Sequence, residues 1–154
     1  MKSSANDVTR LSDFLCFAVY SANLAFGKVY KPVLEQLGLT YPQYIAIVAL
    51  WEEDNQTVGS LGEKMFLESN TLTPLLKKLE AMGYVERRRD TEDERLVRVT
   101  LTKSGRQLRE KQMEATLGEA RRLGPKDVER LQKSIVLLRD NLLDAVEARS
   151  DKKR

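Results

Sequence analysis

A single cysteine, Cys16, stands in the run Leu15-Cys16-Phe17-Ala18-Val19-Tyr20, and none of the other residues is a second cysteine or a histidine. A lone thiol closes no disulfide within its own chain, so it is either a buried small hydrophobe or a reactive group whose partner comes from elsewhere. Without histidine the usual general base, thiol activator and zinc ligand are missing, and neither a metal nor a cofactor is expected. A reactive Cys16 has to be partly thiolate. Asp13 lies on its side of the helix and would oppose ionisation if it lay close, and no Lys or Arg occupies the adjacent turns. Stabilisation then falls to the helix dipole and to tyrosine hydroxyl donors. On the residues alone both fates stay open.

A second concentration of chemistry lies further along. Residues 70–106 hold nine Lys/Arg against six Asp/Glu, and the remainder carries 17 of each sign, so the whole formal charge of +3 sits in this segment. A local basic excess in an otherwise balanced chain points to a polyanion partner.

The elements that must position these groups follow from periodicity. Apolar residues recur at helical spacing from Leu11 to Leu37, with Pro32 expected to bend or interrupt the helix and Gly38 to stop it. A second helix is expected from Thr40-Tyr41-Pro42 through Trp51, apolar nearly all round and therefore the buried centre of the fold. Thr57 can cap a short third helix ending near Met65. Ser69-Asn70-Thr71 is a cluster of capping residues before a helix whose stripe is Leu72, Leu75, Leu76, Leu79 and Met82. Pro74 is then expected in the opening turn and Gly83 as the left-handed end. Residues 84–89 and 96–101 read as two strands around a polar loop. Thr102 caps a helix to about Leu123. Gly124-Pro125 opens a last helix whose Val128, Leu131, Ile135, Leu138, Leu142 and Ala145 form an a/d heptad seam, followed by a frayed Lys152-Lys153-Arg154.

Short helix, turn, helix and hairpin with a polar tip make a winged helix-turn-helix. The fold class is mainly α with a small β-hairpin wing. One domain over 1–154 is expected, with a DNA-binding lobe at about 41–101 and dimerisation helices at about 8–37 and 103–147. Ser69, Asn70, Thr71, Thr73 and Lys77 are candidates to face base edges and phosphates from the recognition helix. Arg87 and Arg95 are the candidates from the wing, with Asp93 pairing to Arg95 and fixing where it points. A two-fold dimer predicts an inverted-repeat operator in double-stranded DNA with half-sites about 10 bp apart.

Asp93-Glu94-Arg95 followed by Leu101-Thr102 resembles the wing signature of the MarR family of bacterial transcription regulators, and the resemblance runs over nearly the whole chain. Leu15-Cys16-Phe17, Tyr30-Lys31-Pro32, Leu39-Thr40-Tyr41-Pro42-Gln43-Tyr44 and Thr71-Leu72-Thr73-Pro74-Leu75-Leu76-Lys77 look like the organic-hydroperoxide-sensing, OhrR-type branch. That resemblance implies a homodimeric repressor with Cys16 as peroxide sensor, and tyrosines Tyr30 and Tyr41 of the partner subunit hydrogen-bonding to it. It also implies release of DNA on oxidation. Lacking a resolving cysteine, the chain resembles the one-cysteine subgroup, in which a low-molecular-weight thiol completes the sulfenate or over-oxidation follows. Relatives often have glycine where Asn70 stands.

Two other functions compete. One is a MarR-type repressor that answers a phenolic or aromatic ligand while Cys16 is structural. The other is a thiol peroxidase, disfavoured by the absence of a second cysteine and of an arginine near Cys16. No apolar run reaches membrane-spanning length, and Met1-Lys2-Ser3-Ser4-Ala5-Asn6-Asp7 lacks a signal-peptide core, so a cytoplasmic protein is expected.

Overall fold

The computed structural model describes residues 10–110 and 113–152. Contacts divide the chain into two compact units, one up to Thr116 and one from Leu117 onward.

The first helix, α1 (Leu15–Leu37), begins later than its apolar spacing predicts. Leu11–Asp13 forms a separate 3-10 turn, and Phe14 is extended between the two. Helix α1 runs through Pro32 without interruption. The bond that proline cannot donate would go to the carbonyl of Lys28, and both residues are exposed, so water can take its place. Gly38, at φ 68°, ends the helix as expected.

Helix α2 (Tyr41–Glu52) opens with a capping box. Thr40 donates its backbone N–H to Gln43 Oε1 at 2.9 Å, and Gln43 N–H returns to Thr40 Oγ1 at 3.4 Å. Ala46, Ile47 and Leu50 have no exposed surface, which makes α2 the centre of the core. It is followed by β1 (Gln56–Thr57), a strand too short for periodicity to reveal. Buried Gln56 donates its amide to Ala49 O and Glu53 O, closing the end of α2. Thr57 caps α3 (Val58–Met65) by accepting Ser60 N–H at 3.1 Å.

Helix α4 (Ser69–Ala81) buries Leu72, Leu76 and Leu79 completely. Its N-cap is Glu68 without a side-chain cap bond, so Ser69, Asn70 and Thr71 are first-turn residues and not caps. Pro74 consequently falls in the second turn. The carbonyl of exposed Asn70 loses its donor there, at a place where solvent can replace it. Gly83, at φ 81°, allows Tyr84 N–H to reach Leu79 O at 3.0 Å.

Strands β2 (Val85–Arg89) and β3 (Val97–Leu101) pair antiparallel, and β1 adds to the other edge of β3. The hairpin expected from sequence is therefore part of a three-stranded sheet, order β1-β3-β2. Thr102 caps α5 (Lys103–Gln107), but no single helix runs on to Leu123. A 3-10 turn at Leu108–Glu110 intervenes before α6 (Met113–Arg121). In the second unit, α7 (Pro125–Asp151) has no buried residue. Seam residues Leu131, Ile135 and Leu142 are 51%, 45% and 59% exposed. Of the expected frayed tail, Lys153 and Arg154 lie outside the described residues.

Gly105 locks the start of α5 against the wing. Its carbonyl accepts Trp51 Nε1–H at 2.9 Å, and a Cβ placed there would sit 2.2 Å from the Tyr84 carbonyl oxygen. Gly105→Ala is expected to cost about 1–3 kcal/mol of stability in urea unfolding. Exposed Gly59 of α3 meets nothing within 4 Å. Gly59→Ala should hold or gain about 0.5–1 kcal/mol, as alanine does in a helix. Equal stability of the two variants would refute the close-approach account.

Candidate functional site

The face of α4 opposite its leucine stripe carries most of the expected DNA-facing residues. Ser69, Asn70, Thr71 and Lys77 are exposed on it. Thr73 is half-buried, and its hydroxyl donates to Ser69 O at 2.8 Å, so its hydrogen is already committed to the helix. With no side-chain cap, the first turn keeps its positive dipole end open to an anion.

Arg87 is placed differently from the other cations. Glu80 of α4 accepts the Arg87 backbone N–H at 2.8 Å and its guanidinium at 3.1 Å. The Arg87 side chain is only 21% exposed. That backbone bond first, and the guanidinium after it, hold the Glu80 carboxyl below its usual range. The pair fastens α4 to β2. Arg88 is exposed and pairs with Glu86, while Arg89 donates to Glu94 O at 2.7 Å across the wing loop.

Residues 90–96 are tied at almost every turn. Asp90, 8% exposed, accepts Arg98 Nε and the backbone N–H groups of Glu92 at 2.8 Å and Asp93 at 3.0 Å. Asp93 in turn accepts Arg95 through its backbone N–H at 3.1 Å, Nε at 2.9 Å and Nη2 at 3.0 Å. Arg95 is thus held at one end while its side chain stays 89% exposed, which is how the sequence pairs it with Asp93. Sequence reasoning missed Glu80, Asp90 and Arg98. An aspartate opening a polar loop between strands is an Asx-turn signal, and it could have singled out Asp90.

Cys16 is exposed, so it is not core filler within this chain. It lies in a shallow apolar depression with Leu11, Phe14, Phe17 and Tyr20. Tyr30 is buried at 7% exposure and Tyr41 is 39% exposed; their rings stack with centroids 5.1 Å apart and planes at 28°. Cys16 and Tyr30 share the unbroken helix α1, and fourteen residues of helix separate them by about 21 Å. A bond from this Tyr30 to its own chain's thiol is geometrically closed. Among the described residues no cluster of His, Cys, Asp and Glu could hold a metal ion. No described helix is long and apolar enough to cross a membrane.

The acids of the wing set a pH signature. The Arg98 hydrogen bond first, then the N–H groups of Glu92 and Asp93, lower the Asp90 pKa below that of an unfolded aspartate. A depressed folded value stabilises the loop above the unfolded pKa of about 3.9, and the contribution is lost as pH falls through the folded one. Amide chemical shifts of Glu92 and Asp93 should therefore stay constant from about pH 8 to pH 5 and move only at lower pH. In Asp90→Asn they should be displaced at neutral pH, and wild-type shifts in that variant would remove Asp90 from the wing's support.

Comparison with known proteins places this geometry. Residues 28–112, more than half of the chain, match the family described as transcriptional regulator SarA/Rot. The organic hydroperoxide resistance transcriptional regulator of Bacillus subtilis is 40% identical over 139 residues, covering 88% of this chain and 94% of that protein. Reduced AbfR bound to DNA superposes with a TM-score of 0.70 at 36% identity, covering 87% of this chain and 95% of that one. Overoxidised AbfR bound to DNA gives 0.70 at 37%, covering 86% and 95%; AbfR comes from Staphylococcus epidermidis. The chain belongs to the SarA/Rot-type, MarR-like family of winged-helix transcriptional regulators.

Proposed function

We propose that this regulator is a homodimeric cytoplasmic repressor that reads organic hydroperoxides through Cys16 and then leaves an inverted-repeat operator. The observation that carries the reading is an exposed lone thiol whose own-chain Tyr30 is about 21 Å away along α1. The stacked Tyr30–Tyr41 pair is formed within one chain and serves the thiol of the other subunit. Apolar surface left open on α1 at Leu15, Val19 and Leu24, and on α7 at Leu131 and Leu142, gives a dimer something to bury. The name of the Bacillus subtilis relative and the reduced and overoxidised states of AbfR support the redox reading.

The chemistry balances with the groups available. The Cys16 thiolate attacks the distal peroxide oxygen, the O–O bond breaks, and the departing alkoxide takes a proton to leave as an alcohol. Cys16 becomes sulfenic acid, which a small cellular thiol converts to a mixed disulfide with loss of water. Hydroxyl donors from Tyr30 and Tyr41 stabilise the attacking thiolate. An added bulky group at the dimer surface then changes the separation of the two α4 helices.

The test is fluorescence anisotropy on duplex DNA selected by the reduced protein from a random pool. Wild type should release DNA after cumene hydroperoxide and a small thiol, and Cys16→Ser should stay bound. Release by the Cys16→Ser variant would sink the sensor reading, and release of both proteins by salicylate without oxidant would favour an aromatic-ligand regulator. Separately, Arg95→Ala should weaken binding and flatten its salt dependence while leaving the rate of Cys16 oxidation unchanged. Undiminished affinity would remove the wing from DNA recognition.

A further inference from the structure

Arg95 is aimed by bonds that begin outside the wing. At the base of the sheet, Asp54 accepts Arg106 of α5 at 3.1 Å, and also the backbone N–H groups of Leu101 at 2.9 Å and Asn55 at 2.8 Å. Burial raises the Asp54 pKa, but these bonds outweigh it and the carboxyl stays ionised below its ordinary value. Asn55 adopts the left-handed conformation at φ 55°. Its carbonyl accepts Arg98 Nη1–H at 3.0 Å. Arg98 Nε donates to Asp90, Asp90 holds the Glu92 and Asp93 amides, and Asp93 holds Arg95. One guanidinium therefore spans the gap between the base of the sheet and the wing loop, with two of its three nitrogens turned inward. It does so directly across the sheet from Arg88, a like charge that would repel it were the Asp90 carboxylate absent.

We propose that Arg98 is a positioning residue for DNA recognition: it anchors the Asp90-centred loop to the Asn55 carbonyl and so fixes where Arg95 meets the duplex. A planar fork is needed for this, because a lysine nitrogen on a flexible stem cannot hold the same two acceptors in the same geometry. The inference rests on the reading of the wing as a DNA contact.

A double-mutant cycle separates positioning from direct phosphate contact. Affinity for the selected duplex is measured for wild type, Arg95→Ala, Arg98→Gln, the double variant and Arg98→Lys, with thermal melting to establish that each is folded. Arg98→Gln is expected to weaken binding about tenfold, within the range of directly coupled pairs. Arg98→Lys should lose nearly as much despite keeping its charge, and its Glu92 and Asp93 amides should exchange faster while those of α4 do not. In the double variant the second substitution should cost less than twofold beyond Arg95→Ala. Multiplying losses, wild-type affinity in Arg98→Gln, or full rescue by lysine would overturn this inference alone. Wild-type affinity in Arg95→Ala would overturn both the inference and the DNA role of the wing.

Discussion

Helix α2 has no polar face over its central turns, and a helix of that kind has to be surrounded. Ala46, Ile47 and Leu50 are sealed from solvent, and the end of α1, helices α3 and α4, and strand β3 all pack around it. Burying a Leu or Ile side chain is worth about 1.5–3 kcal/mol, so these residues outweigh any single polar contact in the first unit. They also fix α4. The stripe Leu72, Leu76 and Leu79 can meet the core in one rotation only, and that rotation turns Ser69, Asn70 and Lys77 outward.

The wing lacks such a core beyond Val85, Val99 and Leu101, and its tip holds its shape by charge and hydrogen bonds. Asp90 is the pivot, because a nearly buried carboxylate is tolerated only when its acceptor sites are filled. Arg98 and two backbone amides fill them. Glu80 ties the other end by accepting the Arg87 backbone N–H and guanidinium, which joins α4 to β2. The exposed ion pairs along α7 do no comparable work, since exposed pairs contribute about 0–1 kcal/mol each.

The thiol end of the chain follows a different logic. There the chain leaves apolar groups in water, at Leu15, Val19, Tyr20 and Leu24 on α1, and leaves its one cysteine among them. An exposed thiol is open to reagents that would not reach the same group in a packed core.

What the sequence determined by itself was local. Helical spacing located α1 and α4, and the stripe it marked on α4 is buried at Leu72, Leu76 and Leu79, whereas of the stripe it marked on α1 only Leu37 is buried and Leu11, Leu15 and Phe26 stay exposed. Gly38 and Gly83 marked chain reversals that need positive φ, Thr40, Thr57 and Thr102 marked helix starts, and Asp93 was matched to Arg95 two residues away. The errors were local propensities overridden by context. Pro32 and Pro74 lie inside helices, where the residues whose carbonyls they orphan, Lys28 and Asn70, are exposed, and β1 escaped notice because two residues carry no period. The site residues that only tertiary structure decided are pairs distant in sequence. Glu80 meets Arg87, Asp90 meets Arg98, and Asn55 meets Arg98 across 43 positions. Charge composition gives each of these groups but not its partner. An ion pair or a left-handed carbonyl acquires its geometry from the packing of the elements that carry it, and hydrophobic periodicity records only which face is buried.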